Sequence, residues 1–151
     1  MTIHYRQAQS SDLVELIHLL ADDPLGAKRE DISSPINAKY RQAMAAIEQD
    51  PNNELWVVES EGMVVGMLQL TFIPYLTHIG SWRCLIEGVR IAKQVRGQGL
   101  GEKMFVHAIE RARERRCKLV QLTSDKQRPD ALRFYERLGF VASHEGFKLA
   151  L

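Results

Sequence analysis

Cysteine is scarce in this chain of 151 residues, which has two, Cys84 and Cys117. Their spacing matches no metal-ligand pattern, and two thiols make at most one disulfide. Reduced thiols and no bound metal are therefore expected. Excess charge of either sign is also missing. Twenty Lys and Arg against 19 Asp and Glu leave a formal +1, which argues against binding nucleic acid through bulk charge. No stretch approaches the roughly 18 consecutive apolar residues of a membrane span. The opening MTIHYRQAQSSD lacks the apolar core of a signal peptide, so cytoplasm is the expected location. Repeats, low-complexity tracts and linkers are absent. One domain over 1–151 is expected, long enough to bury a core without a metal or disulfide staple.

What is present is a regular succession of patterns. Thr2–Ala8 alternates enough for an edge strand. Asp12 reads as a helix N-cap with Glu15 as its capping-box partner, ahead of an apolar face of Leu13, Leu16, Ile17 and Leu20 that stops near Asp22–Pro24. A polar connection, Leu25–Ser33, follows. Ser34–Pro35 reads as N-cap and first residue of a second helix, with Ile36, Tyr40, Met44 and Ile47 at helical spacing. Leu55–Ser60 and Met63–Ile73 are β-rich runs split by Glu61–Gly62, a hairpin signal. After a connection over 74–81, Trp82–Ile91 completes a three-strand antiparallel meander. Leu100–Arg116 reads as a helix, Lys118–Ser124 as a strand and Pro129–Leu138 as a helix ended by Gly139. Phe140–Val141 and Phe147–Leu151 read as two short final strands.

The chemistry concentrates in Gln94–Gly101, QVRGQGLG, between a strand and a helix. Glycines there allow positive φ and close backbone approach. Bare N–H groups at a helix start make a nest for anionic oxygen, and Arg96 adds a positive charge. A Walker A loop needs Lys and Ser or Thr after its last glycine; here Glu102 follows Gly101. The dinucleotide fingerprint needs two residues between its second and third glycines; here only Leu100 intervenes. The loop reads as a phosphate or pyrophosphate cradle of another kind.

The spacing Gln94-x-x-Gly97-x-Gly99, together with ALRFYERLGF over Ala131–Phe140, resembles the GNAT superfamily of acetyl-coenzyme A-dependent N-acetyltransferases. The resemblance covers Leu85–Val141. It implies a mixed α/β (α+β) fold: a largely antiparallel central sheet of six to seven strands flanked by about four helices. It also implies that the strand before the glycine loop splays from its neighbour, so that pantetheine pairs with the backbone of Val89, Arg90 and Ile91. The amides of Val95, Arg96, Gly97, Gln98, Gly99, Leu100 and Gly101 hold the pyrophosphate, and Phe134 and Arg128 are further cofactor contacts. Arg128 stands where many members carry an Asn that binds pantetheine. Lys126, Arg128 and Arg133 are candidates for the 3′-phosphate.

The implied reaction is attack of a neutral primary amine on the thioester of acetyl-coenzyme A, with no metal. The amine must lose a proton, the tetrahedral oxyanion needs a donor such as a backbone N–H near Val89, and the leaving thiolate needs a proton. Tyr135 matches the family's general-acid tyrosine. A tyrosine at pKa ~10 can protonate a thiolate at ~8.5 with a small mismatch. Glu87 is the base candidate, acting through water, and is expected on the same side of its strand as Val89. His78, His107 and His144 are alternative bases, with His107 expected at the surface of its helix. IEGVRI resembles the strand of glucosamine-6-phosphate N-acetyltransferases, but Gly88 replaces their second acidic residue, so the sugar substrate is not carried over.

Two other functions compete. One is a non-catalytic acyl-coenzyme A sensor or interaction module on the same fold. The other is a nucleic-acid binder built on RARERR, Arg111–Arg116, which reads more simply as a solvated helix face. The apolar residues of Phe72–Trp82 suggest a homodimer.

Overall fold

The computed structural model describes residues 1–128 and 130–151. The expected helix start at Pro129 lies outside the described residues. The chain forms two compact units, Met1–Gln121 and Leu122–Leu151.

The first unit is a five-stranded sheet in sequential order: β1 (His4–Gln7), β2 (Asn53–Ser60), β3 (Met63–Pro74), β4 (Trp82–Ile91) and β5 (Leu119–Gln121). Neighbours are antiparallel except β4 and β5, which run parallel. The hairpin at Glu61–Gly62 forms as the sequence suggests. Both residues take positive φ, +51° and +75°, as a tight two-residue turn matched to strand twist requires.

Five α-helices are present among the described residues: α1 (Leu13–Ala21), α2 (Ala38–Gln49), α3 (Thr77–Gly80), α4 (Leu100–Glu114) and α5 (Ala131–Arg137). α3 is a single turn with His78 and Ile79 in the left-handed region. α1 and α2 cover one face of the sheet, where Leu13, Leu16, Ile17 and Met44 pack with Leu55, Val57 and Met67. On the other face, Leu100, Met104, Phe105, Ala108 and Ala112 are buried along α4. The absence of a Cβ at Gly66 admits the Met104 side chain; an added Cβ would lie 3.0 Å from its sulfur. Arg116 at φ +60° ends the α4 segment two residues earlier than expected.

Two helix starts differ from expectation. Asp12 does not cap α1 with its side chain. Instead its carboxylate accepts from the Gln9 N–H at 2.7 Å and receives the Arg6 guanidinium, so a short turn over Ser10–Asp12 precedes the helix. α2 begins at Ala38, not at Pro35, because Asn37 Oδ1 accepts from the Lys39 N–H at 3.0 Å and supplies the cap. The polar connection before α2 is held by side-chain hydrogen bonds. Tyr40 Oη donates to Glu30 and accepts from the Asp31 N–H.

In the second unit α5 ends as predicted. Gly139 takes φ +98°. Its N–H donates to Glu136 O at 3.0 Å and that of Phe140 to Tyr135 O at 3.0 Å, a paired closure of the last turn. The two final strands do not form, so the sheet has five strands rather than six or seven. A strand exists only with a ladder partner, and Phe140–Val141 is too short to give Phe147–Leu151 one.

Candidate active site

β4 differs along its length. Its parallel pairing with β5 is confined to Arg83 with Leu119, Cys84 with Val120 and Leu85 with Gln121. From Ile86 to Ile91 its ladder partners among the described residues lie on β3 alone. This half of β4 thus has no β5 ladder beside it, and an added extended segment can pair there, although Val89 O and Ile91 O already accept from Arg90 and Arg96.

The same half of β4 carries a bulge. Gln69 faces Glu87 and Met67 faces Arg90, so Gly88 and Val89 together oppose Leu68. Gly88 sits at φ +62°, the backbone setting that such a bulge asks of its first residue. The extra residue changes the alternation. Arg90, not Val89, shares a face with Glu87, which corrects the expected geometry. A glycine inside a strand pattern is the signal that could have revealed it.

Glu87 is exposed. It is in register with Gln69, whose Nε2 donates to Asn53 Oδ1 at 3.2 Å, and Thr71 Oγ1 donates to the same oxygen at 2.8 Å. These three polar residues, missed by sequence reasoning, continue the Glu87 face across β3 and β2. Arg90 is largely buried. Its Nη1 donates to Val89 O at 2.9 Å, and its Nε lies 3.9 Å from Asp23 Oδ2.

Beyond β4, Lys93–Val95 makes one tight turn in which the amides of Val95 and Arg96 donate to Ala92 O and Lys93 O. Those two N–H groups are therefore already occupied. Gly97 and Gly99 both take φ +78°, and Gly99 is the residue from which α4 starts. The first α4 amide with a backbone acceptor is that of Lys103, bonded to Gly99 O at 3.3 Å. The amides of Gly97, Gln98, Gly99, Leu100, Gly101 and Glu102 have no acceptor among the described residues. A Cβ added at Gly97 or Gly99 would meet nothing within 4 Å. Open space lies before the nest, and its donors suit an anion. Arg96 is directed elsewhere: its Nε donates to Ile91 O and its Nη2 to Asp22 O, each at 3.1 Å.

The alternative bases are dispersed. His78 lies in the left-handed turn of α3. His107 is not a surface residue. Its ring stacks on Tyr5 at 4.0 Å and meets Trp56 edge-on at 4.6 Å. Burial holds its pKa below the ordinary histidine value. In the second unit, Ser143 Oγ lies 2.7 Å from His144 Nδ1. Tyr135 contacts Phe134 and Phe140 edge-on, at centroid distances of 5.5 and 6.0 Å. Arg128 is half-buried, and its carbonyl accepts from the Ala131 N–H at 3.2 Å. Lys126 and Arg133 are exposed.

The Acetyltransferase (GNAT) family matches residues 14–140. The chain belongs to this family. Membership makes it an acetyl-coenzyme A-dependent acyltransferase that acts on an amine. A curated relative, aminoalkylphosphonate N-acetyltransferase of Salmonella typhimurium, is 35% identical over 112 residues, covering 74% of this chain and 72% of the relative. A crystal structure described as a transcriptional regulator from Bacillus halodurans superposes with TM-score 0.96 at 55% identity, covering 99% of this chain and 100% of the other. An acetyltransferase from Trypanosoma brucei superposes with TM-score 0.80 at 27% identity, covering 99% and 100%.

Proposed function

We propose that the chain transfers acetyl from acetyl-coenzyme A to a primary amine of a small molecule or peptide by direct attack, with Glu87 as base through water and Tyr135 as general acid. The observation that carries this reading is the half of β4, Ile86–Ile91, whose ladder partners among the described residues lie on β3 alone, leading to six amides, Gly97–Glu102, that lack acceptors among the described residues. Val89–Ile91 offer backbone pairing to pantetheine, and the amides from Gly97 onward take the pyrophosphate. Arg128 and Phe134 complete the cofactor contacts by resemblance.

Glu87, through a water, accepts the proton that the acceptor ammonium must lose. The amine nitrogen then bonds to the thioester carbon. A backbone N–H near Val89 steadies the oxyanion. The carbon–sulfur bond breaks, Tyr135 delivers its hydroxyl proton to the departing thiolate, and the nitrogen's second proton passes through water to the resulting phenolate, which restores Tyr135. The polar row of Gln69, Asn53 and Thr71 on the Glu87 face suits a small polar acceptor. The Salmonella relative, named for aminoalkylphosphonates, makes these the first acceptors to test.

A steady-state assay of thiol release over a panel of primary amines, aminoalkylphosphonates included, tests the proposal. Tyr135→Phe should lower kcat by about 100-fold or more, within the range general acids supply, and leave acetyl-coenzyme A binding intact. The Bacillus halodurans relative's description as a regulator supports a second reading, a non-catalytic acyl-coenzyme A sensor. Binding without turnover across the panel, with Tyr135→Phe changing nothing, would favour it. The α4 arginines favour neither a regulator nor a nucleic-acid face. Arg111 pairs with Glu54 and Glu114, Arg113 with Glu110, and Arg115 with Asn52.

A further inference from the structure

Two aspartates, Asp22 and Asp23, follow the last turn of α1. A helix C-terminus carries partial negative charge and unpaired carbonyls, so carboxylates there are unfavourable unless something cationic answers them. Two arginines from the cofactor side do so. Arg90, in the bulged half of β4, approaches Asp23 at 3.9 Å. Arg96, inside the glycine loop, lies 3.6 Å from the Asp22 carboxylate and donates from Nη2 to the Asp22 carbonyl at 3.1 Å. Its Nε simultaneously donates to Ile91 O at 3.1 Å. One guanidinium thus holds three segments together: the end of β4, the glycine loop and the end of α1. Asp23 also accepts from the Gly26 N–H, which opens the connection toward Glu30, Asp31 and Tyr40.

We infer that Arg96 is a positioning residue rather than a phosphate ligand. Its fork staples the glycine loop to α1, with Arg90 and Asp23 as a second fastening. The cradle and the 22–31 connection consequently keep one geometry, and cofactor affinity depends on that fastening. The inference about affinity rests on the proposed acetyl-coenzyme A site; the staple itself does not.

The two roles for Arg96 separate in Arg96→Lys. Lysine keeps the charge but cannot present two N–H groups in a fixed fork to two carbonyls. Acetyl-coenzyme A affinity is measured by calorimetry for the wild type, Arg96→Lys and Arg96→Met. Hydrogen exchange of the bonded amides in 22–31 and of Val95 and Arg96 in the loop is followed in the ligand-free proteins. The staple predicts that both variants lose affinity by a similar factor, about ten-fold for a cradle no longer pre-organised. It also predicts that exchange rises together in both segments. Wild-type affinity in Arg96→Lys beside a weakened Arg96→Met would overturn it in favour of a phosphate charge. Unchanged exchange in both segments would overturn it as well. Should Arg96→Met fail to fold, Arg96→Lys alone decides by the same two readouts. A wild type that does not bind acetyl-coenzyme A would remove the functional reading, and the paired rise in exchange, or its absence, would still decide the staple.

Discussion

The β1–β2 side of the sheet and the open half of β4 treat their polar groups in opposite ways. On the β1–β2 side these groups are largely matched within the chain. Arg6 reaches Asp12 at 2.8 Å and Glu59 at 2.7 Å. Glu54 is nearly buried and accepts from Arg111 at 2.8 Å and from Trp56 Nε1 at 3.1 Å. The Tyr5–His107–Trp56 cluster fills the space between strand and helix. The open half of β4 has no β5 ladder beside it, and the helix-start amides of Gly97–Glu102 have no acceptor among the described residues. Buried polar groups must be paired for stability. Unpaired ones beside solvent are available to a ligand. The comparison teaches that stability and binding are divided between the two regions, and each can be disturbed alone.

The largest expected effect comes from a matched pair of glycines. Gly99 and Gly62 have nearly the same φ, +78° and +75°, and a Cβ at either would meet nothing within 4 Å. Gly99→Val and Gly62→Val should each cost about 2 kcal/mol from a side chain forced into the left-handed region. Only Gly99→Val should weaken acetyl-coenzyme A binding, by at least about 100-fold, because it alone obstructs approach to the nest. Denaturant unfolding and calorimetry on the two variants check this. Equal loss of affinity in both would erase the division.

Glu54→Gln should act the other way. It leaves Arg111 and Arg115 facing a neutral group in a buried site and should cost about 2 to 3 kcal/mol in urea unfolding, with acetyl-coenzyme A affinity unchanged. The smallest effect is expected at His107. Its Nε2 is buried without a hydrogen-bond partner among the described residues, and burial lowers its pKa. The folded state therefore takes up this proton less readily than the unfolded chain, whose histidine titrates near ~6.5. Stability is full above that pH and declines as pH falls below it. His107→Phe should keep the stack, change stability at pH 7 by no more than about 1 kcal/mol and remove the decline between about pH 7 and 5. The loss below about pH 4 should remain. It belongs to Asp12, held low mainly by Arg6, and to Glu54, where Arg111, Trp56 and Arg115 together outweigh burial.

Features set by local backbone chemistry were legible in the sequence. Glu61–Gly62 announced its hairpin, Gly139 its helix end, and Gly97 and Gly99 the left-handed turns before α4. Features set by distant partners were not. Asp12 looked like a cap from its neighbours, but Arg6 and Gln9 give it a different task. Arg96 reads from its place in the motif as a charge beside the cradle, and its carbonyl partner on Asp22, 74 residues away, has no local signal in the sequence. The bulge was half legible: Gly88 signalled it, but only the register with β3 shows that Arg90 takes the place beside Glu87.

The most direct test of the central claim is an amide chemical-shift titration of the labelled wild-type protein with acetyl-coenzyme A. The account predicts saturable shifts at Ile86–Ile91, at Gly97–Glu102 and at Arg128, Phe134 and Tyr135, with His4–Gln7 and Trp56–Ser60 nearly still. Saturable shifts centred on the β1–β2 side, or no shifts at millimolar ligand, would contradict it.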